Sequence, residues 1–220
     1  MIGYPVNLKL AGRLCVIIGA GPVGLRKLAA LQGTGARLRL IDPAPPANLP
    51  AAAEVIPRAY RPGDLQGALL AIAATGDRQV NAAIAAEARA TGVLVNVVDT
   101  PEEGDFTLPA RLQRGALEVT VTTAGRAPAL AVVLRDRLTA TLGPEWALVV
   151  EIAAALRIRQ LTPLRSSEYN QRVLHRLLEE GLPALLAAGD ATAVDHLLTA
   201  VIGPGITLDS LGLCLPKGMP

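Results

Sequence analysis

The sequence predicts an α/β fold: an N-terminal parallel sheet, then a small strand-and-helix segment, then a helical C-terminal region. Three observations carry this. Solid apolar runs of strand length, Leu14–Ile18, Leu38–Ile41, Leu69–Ala74 and Val93–Val98, alternate with helical patterns. A glycine-rich turn, Gly19-Ala-Gly-Pro-Val-Gly24, joins the first run to the first helix. Beyond residue 110 the pattern changes to one strictly alternating stretch, Leu117–Thr123, followed by helices.

The glycine turn justifies the first βαβ unit. In this layout the first glycine, Gly19, allows the tight turn, Gly21 lets backbone approach a pyrophosphate, and Gly24 lets the helix lie close to the strand. Pro22 and Val23 open the helix, whose N-terminus offers free N–H groups and the positive end of its dipole to phosphates. The second apolar run ends in Asp42, 18 positions after Gly24. An acid there accepts hydrogen bonds from a ribose 2′-hydroxyl and repels a 2′-phosphate, which favours NAD over NADP. As a lone residue, Asp42 before Pro43 also reads as a turn acid. Arg26 and Lys27 lie near the helix start, where the dipole disfavours cations. They are either offset by a bound anion or part of a solvated face. Together these features predict a Rossmann-type domain.

The rest of the chain follows in order. Met1–Arg13 is a leader in which Pro5–Leu10 has the makings of an edge strand. Gly33-Thr-Gly35 closes the first helix, glycine tolerating the left-handed conformation of a helix end. Glu54–Tyr60 is a third strand, and Pro57 inside it requires an edge position, as the strand order 3-2-1-4-5 demands. The fourth strand, Leu69–Ala74, ends at Thr75-Gly76-Asp77, and a helix over Arg78–Ala90 follows. The fifth strand, Val93–Asp99, ends in an acid. Ligands of open α/β sheets sit beyond the carboxyl ends of the strands. Thr75 and Asn96 are therefore cofactor-binding candidates. Asp99 is either a general base or acid beside the cofactor or a cap for the next turn.

Leu117–Thr123 has one buried and one polar face and lies outside the parallel sheet. A helix over Pro128–Leu142 comes next, then Glu145–Arg159, a helix capped by Ser166 and Ser167 that runs through Glu180, and two shorter ones. Gly203-Pro-Gly205 starts an irregular tail. An isolated alternating strand needs a partner, which points to a homodimer. The domains expected are residues 1–112, 113–143 and 144–220, for cofactor binding, dimerisation and helical packing.

Composition narrows the function further. The chain carries 21 basic and 19 acidic residues, evenly spread, and aromatics make up 2% of it, so nucleic acid is excluded as a partner. No apolar run reaches the ~18 residues of a membrane span, and no signal pattern opens the chain, so a cytoplasmic protein is expected. Cys15 and Cys214 form no metal or redox motif, and His175 and His196 stand in helices far from any such partner, so no bound metal is expected.

With these residues in place the chain resembles the precorrin-2 dehydrogenase and sirohydrochlorin ferrochelatase family of siroheme biosynthesis. The resemblance rests on Gly19-Ala-Gly-Pro-Val-Gly24 with Arg26-Lys27, Leu70-Ala-Ile-Ala-Ala-Thr75, Asn96-Val-Val-Asp99, Asp105-Phe106 with Pro109-Ala110, and Thr122-Thr-Ala-Gly-Arg-Ala-Pro128. Their order and spacing hold over residues 5–160. The resemblance implies NAD-dependent oxidation of precorrin-2 to sirohydrochlorin and, as in some members, insertion of ferrous iron as a second substrate. It implies that Asp99 removes the proton. The substrate is a tetrapyrrole with many carboxylates, for which Arg111, Arg114, Thr123, Arg126 and Arg135 are binding candidates. Two departures stand out: Ala127 replaces the serine usual before Pro128, and Ala124 stands where a small flexible residue is usual. A hydroxyl-dependent contact at position 127 is thereby excluded. The chain also ends without the methyltransferase domain of some relatives, so a stand-alone module is expected. The rival readings are an NAD-sensing regulatory module and a dehydrogenase of another substrate on the same fold.

Overall fold

The apolar runs of the N-terminal half become neighbours in one parallel sheet. Its strands are β1 (Leu14–Ile18), β2 (Arg37–Ile41), β3 (Ala53–Ile56), β4 (Ala68–Ala73) and β5 (Leu94–Val97), in the order β3-β2-β1-β4-β5. All four pairings are parallel. The structure, a computed structural model, describes residues 3–49, 53–159 and 167–215. It divides into two compact units, Met1–Leu108 and Pro109–Pro220.

The helices α1 (Pro22–Gln32) and α2 (Arg78–Thr91) explain why the runs are solid rather than alternating. One sheet face buries Cys15, Ile17, Leu40 and Ile72 with Leu28 of α1. The other buries Val16, Ile18, Ala71 and Val95 with Ile84, Ala85 and Ala88 of α2. Side chains alternate between the faces, and both faces are covered. Burial of Cys15 pushes its thiol up from the ordinary range.

Three local expectations change. Pro5–Leu10 forms no strand; residues 3–10 have no regular structure, and Tyr4, Val6 and Leu8 are exposed. The third strand is at the edge, as expected, but it stops at Ile56, so Pro57 ends it rather than interrupting it. That is the simpler response to a residue without an N–H. At the end of α1, Gly33 has φ −76°, and the left-handed residue is Gly35 at φ +71°. The helix therefore unwinds before the chain reverses against Ala11.

The second unit corrects one premise. The alternating strand, β7 (Leu117–Val121), is not isolated: it pairs antiparallel with β6 (Ala110–Arg114) of the same chain. A two-residue loop joins them, with Gly115 at φ +55°, the glycine-first form that suits a hairpin. β6 escapes sequence reading because its one fully buried residue is Leu112, set among Arg111, Gln113 and Arg114. Helix α3 (Pro128–Thr141) packs on this hairpin. Helices α4 (Trp146–Arg159), α5 (Ser167–Glu179), α6 (Leu182–Ala187) and α7 (Ala191–Ile202) enclose a core of Ile152, Leu177, Leu182, Leu186, Val194 and Leu198. Ser166 lies outside the described residues. The tail is irregular yet anchored: Leu208 is buried, and its N–H donates to Asp195 Oδ1 at 2.7 Å. No single helix among the described residues is long and apolar enough to cross a membrane.

Candidate functional site

The three glycines of the first turn meet three different constraints. Gly19 has φ +104°, and a Cβ there would lie 2.4 Å from the Ala74 carbonyl oxygen. Conformation and packing both require glycine. A Cβ on Gly24 would lie 1.9 Å from the Gly19 carbonyl oxygen, so α1 reaches the loop only without a side chain. Gly21 is different. Its φ is −68°, and nothing lies within 4 Å of its Cβ position. Neither backbone nor packing asks for glycine at 21, and the space there leaves room for close approach of a ligand.

Gly21 is also the N-cap of α1, with no side-chain cap and no acid in the first turn. Pro22 has no N–H, and the first helical bond is Leu25 N–H to the Gly21 carbonyl at 3.0 Å. The N–H groups of Val23 and Gly24 are therefore left to an anion. Arg26 and Lys27 have no carboxylate partner among the described residues. Burial, and then the neighbouring Arg26, push the Lys27 ammonium below its usual range. A bound anion would relieve both the dipole and this repulsion, so the residues present fit a pyrophosphate.

Asp42 fills the turn role and also ties down the glycine loop. Oδ2 accepts the Ala20 N–H of the glycine loop at 2.6 Å, and Oδ1 accepts the Ala44 N–H at 2.7 Å, an Asx turn. Each oxygen keeps a lone pair for a hydroxyl. Thr75, by contrast, is turned inward. Its Oγ1 lies 2.7 Å from Asn81 Oδ1, and its N–H and carbonyl both bond the Asn81 amide at 3.2 Å. Its hydroxyl is engaged within the fold. Asn81 went unremarked in the sequence, though the signal was there: residues 84, 85 and 88 fix a buried helix face, and 81 belongs to it.

Asp99 stands on a bend beyond β5 and is exposed, with no protein partner among the described residues. The chain on either side is held. Asn96 is buried and donates to the Phe106 carbonyl at 2.9 Å. The Asp105 N–H donates to the Val95 carbonyl at 2.8 Å, and its Oδ2 accepts the Val95 N–H at 2.9 Å. A Cβ on Gly104 would lie 2.9 Å from the Val95 carbonyl oxygen, so this segment lies flush against β5. An ion pair of Arg78 with Glu103 ties it to α2. Asp99 is thus a free carboxylate on a short bend between two fixed ends.

The remaining candidates belong to the second unit, where most have internal duties. Arg114 donates to the Leu142 and Thr139 carbonyls at 2.9 and 3.3 Å, capping the C-terminus of α3, where a cation is favoured. Arg111 pairs with Glu118 and Arg135 with Asp136. Thr123 Oγ1 accepts the Ala127 N–H at 3.1 Å. Arg126 is exposed and has no side-chain partner among the described residues. It follows Ala124 at φ +52° and Gly125 at φ +77°; Ala124 is the one non-glycine residue with positive φ among the described residues. No group of three or more His, Cys, Asp or Glu able to hold a metal occurs among the described residues.

The chain is similar to known proteins. Residues 6–110 match a family model described as "Putative NAD(P)-binding". The chain is 30% identical over 214 residues to a siroheme synthase of Thioalkalivibrio sulfidiphilus, covering 95% of this chain and 44% of that one. It is 35% identical over 204 residues to the siroheme synthase of Nitrosomonas europaea, covering 90% and 43%. The chain therefore spans less than half the length of these relatives. A solved structure, "SirC, precorrin-2 dehydrogenase", shares the fold with a TM-score of 0.69 at 19% identity, covering 90% of this chain and 98% of its own. Across nearly all its length the chain is a homologue of the siroheme synthases, and its residues 6–110 match the NAD(P)-binding family model.

Proposed function

We propose that the chain is an NAD-dependent precorrin-2 dehydrogenase, forming sirohydrochlorin. The observation that carries this is Asp99: a free carboxylate on a clamped bend, beyond the carboxyl end of the sheet that also carries an open anion-binding glycine turn. Gly21, Val23 and Gly24 would hold the pyrophosphate, and Asp42 a ribose hydroxyl. When bound, NAD supplies a nicotinamide ring that accepts hydride. Removing two hydrogens from precorrin-2 leaves one proton to place, and Asp99 takes it. Among the arginines, Arg126 has its guanidinium free for a substrate carboxylate. Ferrous iron is a second substrate in this reading.

The domain scheme of residues 1–112, 113–143 and 144–220 belongs to the same proposal, with the hairpin and α3 as the dimerisation segment. Leu130, Val132, Val133 and Leu134 of α3 are 39–49% exposed, an apolar face that a second copy would cover. Sedimentation equilibrium giving the mass of one chain would remove the homodimer.

The test of function is direct. Purified chain given precorrin-2 and NAD should yield NADH and sirohydrochlorin, and added ferrous iron should then yield siroheme. Asp99→Ala should lower turnover about 10²-fold or more while NADH binding holds within about twofold. Undiminished turnover would take Asp99 out of the mechanism.

A further inference from the structure

Asn81 is fully buried, the one polar side chain with 0% exposure among the described residues. Burying an amide is unfavourable unless it is paired. A helix that only had to pack here would carry an aliphatic residue, as α2 does at Ile84 and Ala85. Nor is Asn81 needed to start the helix, because Asp77 already accepts the Gln79 and Val80 N–H groups at 2.8 and 3.3 Å.

All the partners of the Asn81 side-chain amide lie in Thr75. β4 loses its neighbours at this point. The Ala74 N–H still reaches the Ile18 carbonyl, and the Val98 N–H still reaches the Ala73 carbonyl. The next residue, Thr75, has no strand on either side, because β1 has turned away into the glycine loop. The Asn81 amide stands in for the missing strand: Oδ1 accepts the Thr75 N–H, and Nδ2 donates to its carbonyl. What this fixes lies beside the loop, for the Ala74 carbonyl oxygen and the Thr75 nitrogen sit 2.4 and 2.9 Å from where a Gly19 Cβ would be. The next residue, Gly76, has open space at its Cβ position and no left-handed φ, the same signature as Gly21.

We propose that Asn81 is a positioning residue for the dinucleotide. It replaces a neighbouring strand at Thr75 and so keeps the end of β4 as a fixed second wall against the glycine loop. This rests on the reading of the glycine loop as a dinucleotide site.

The experiment measures the Kd for NADH by fluorescence, well below the melting transition, where lost global stability does not alter binding by the folded protein. Asn81→Ala should raise Kd about tenfold or more. Ile84→Ala, a cavity in the same helix, should stay within about twofold. Asn81→Asp keeps the size and the acceptor oxygen and serves if the alanine variant does not fold. Its affinity should recover as pH falls, because the neutral acid regains a donor for the Thr75 carbonyl. Asn81 variants binding like the parent, or Ile84→Ala weakening binding equally, would overturn the inference. Gly21→Ala separates the two layers. If it weakens NADH while the Asn81 variants do not, only the positioning role fails; if neither it nor the Asn81 variants change Kd, the dinucleotide reading of the loop fails too.

Discussion

Two carboxylates near opposite ends of one sheet are treated in opposite ways. Glu87 lies close to the start of β4. It accepts the Tyr60 hydroxyl and the N–H groups of Gly63 and Leu65, both at 3.1 Å. Beside it, Arg58 grips Asp64 through two nitrogens at 2.8 and 2.6 Å. Asp99, beyond the end of β5, is exposed and partners nothing among the described residues. An acid with every lobe engaged is a staple, holding loop 57–67 to α2. An acid with none, on a clamped bend, keeps its capacity for a ligand. A cavity of about 630 Å³ lies at the stapled end, lined by Tyr60, Leu65, Gln66 and Glu87. The proposed site lies at the other end, where the carboxylate of Asp99 is left unengaged.

The glycine loop offers the largest test of this division. Gly24→Ala sets a Cβ 1.9 Å from a backbone oxygen, with no flexible side chain to move aside. It should cost about 3 kcal/mol or more in urea unfolding. Gly21→Ala meets nothing within 4 Å. Its stability should stay level or rise by up to about 1 kcal/mol, while NADH affinity falls. If the two variants lose stability alike, or if Gly21→Ala binds NADH as the parent does, the separation of structural from ligand-facing glycines is wrong.

This end of the molecule was the most legible in the sequence. Gly19 and Gly24 announce their structural roles through spacing, because a tight βα turn allows few solutions. The strand order followed from the same unit. What stayed hidden depends on partners far away in sequence. Nothing local shows that the Asn96 amide would go to the Phe106 carbonyl or that Arg114 would cap α3 across 28 positions. β6 was missed for a related reason: an edge strand with one buried side chain leaves no hydrophobic period to read, and its pairing supplies what its composition lacks. Gly104, required by the closeness of the β5 backbone at Val95 and Val97, is invisible until the fold exists.

At the stapled end a middle-sized effect is expected from Tyr60→Phe. The change removes one hydrogen bond to a charged acceptor and leaves the two backbone donors to Glu87 in place. It should cost about 1–2 kcal/mol of stability, with turnover unchanged. Burial, followed by the hydrogen bond to Glu87, raises the Tyr60 phenol above its usual range. A raised group stabilises below its unfolded value and loses that stabilisation as pH climbs through the folded one. The parent's advantage over Tyr60→Phe in urea should therefore shrink only above about pH 10. A loss of turnover matching that of Asp99→Ala would instead mean that the two ends of the sheet are coupled.

The smallest effect concerns Asp64 and separates a paired acid from a free one. The hydrogen bond from Arg58 leads in holding its carboxyl below the ordinary range, and the Arg61 N–H at 2.7 Å adds to it. A lowered group stabilises above its unfolded value and loses that stabilisation as pH falls through the folded one. Between about pH 5 and the region below about pH 4, the parent should lose urea stability faster than Asp64→Asn, whose curve lacks this component. Asp99→Asn gives the contrast. At neutral pH that variant should keep the parent's urea stability, because the Asp99 carboxylate has no protein partner to lose among the described residues. Parallel curves for Asp64→Asn and the parent would show that the Arg58–Asp64 ion pair within the 57–67 loop adds no net stability.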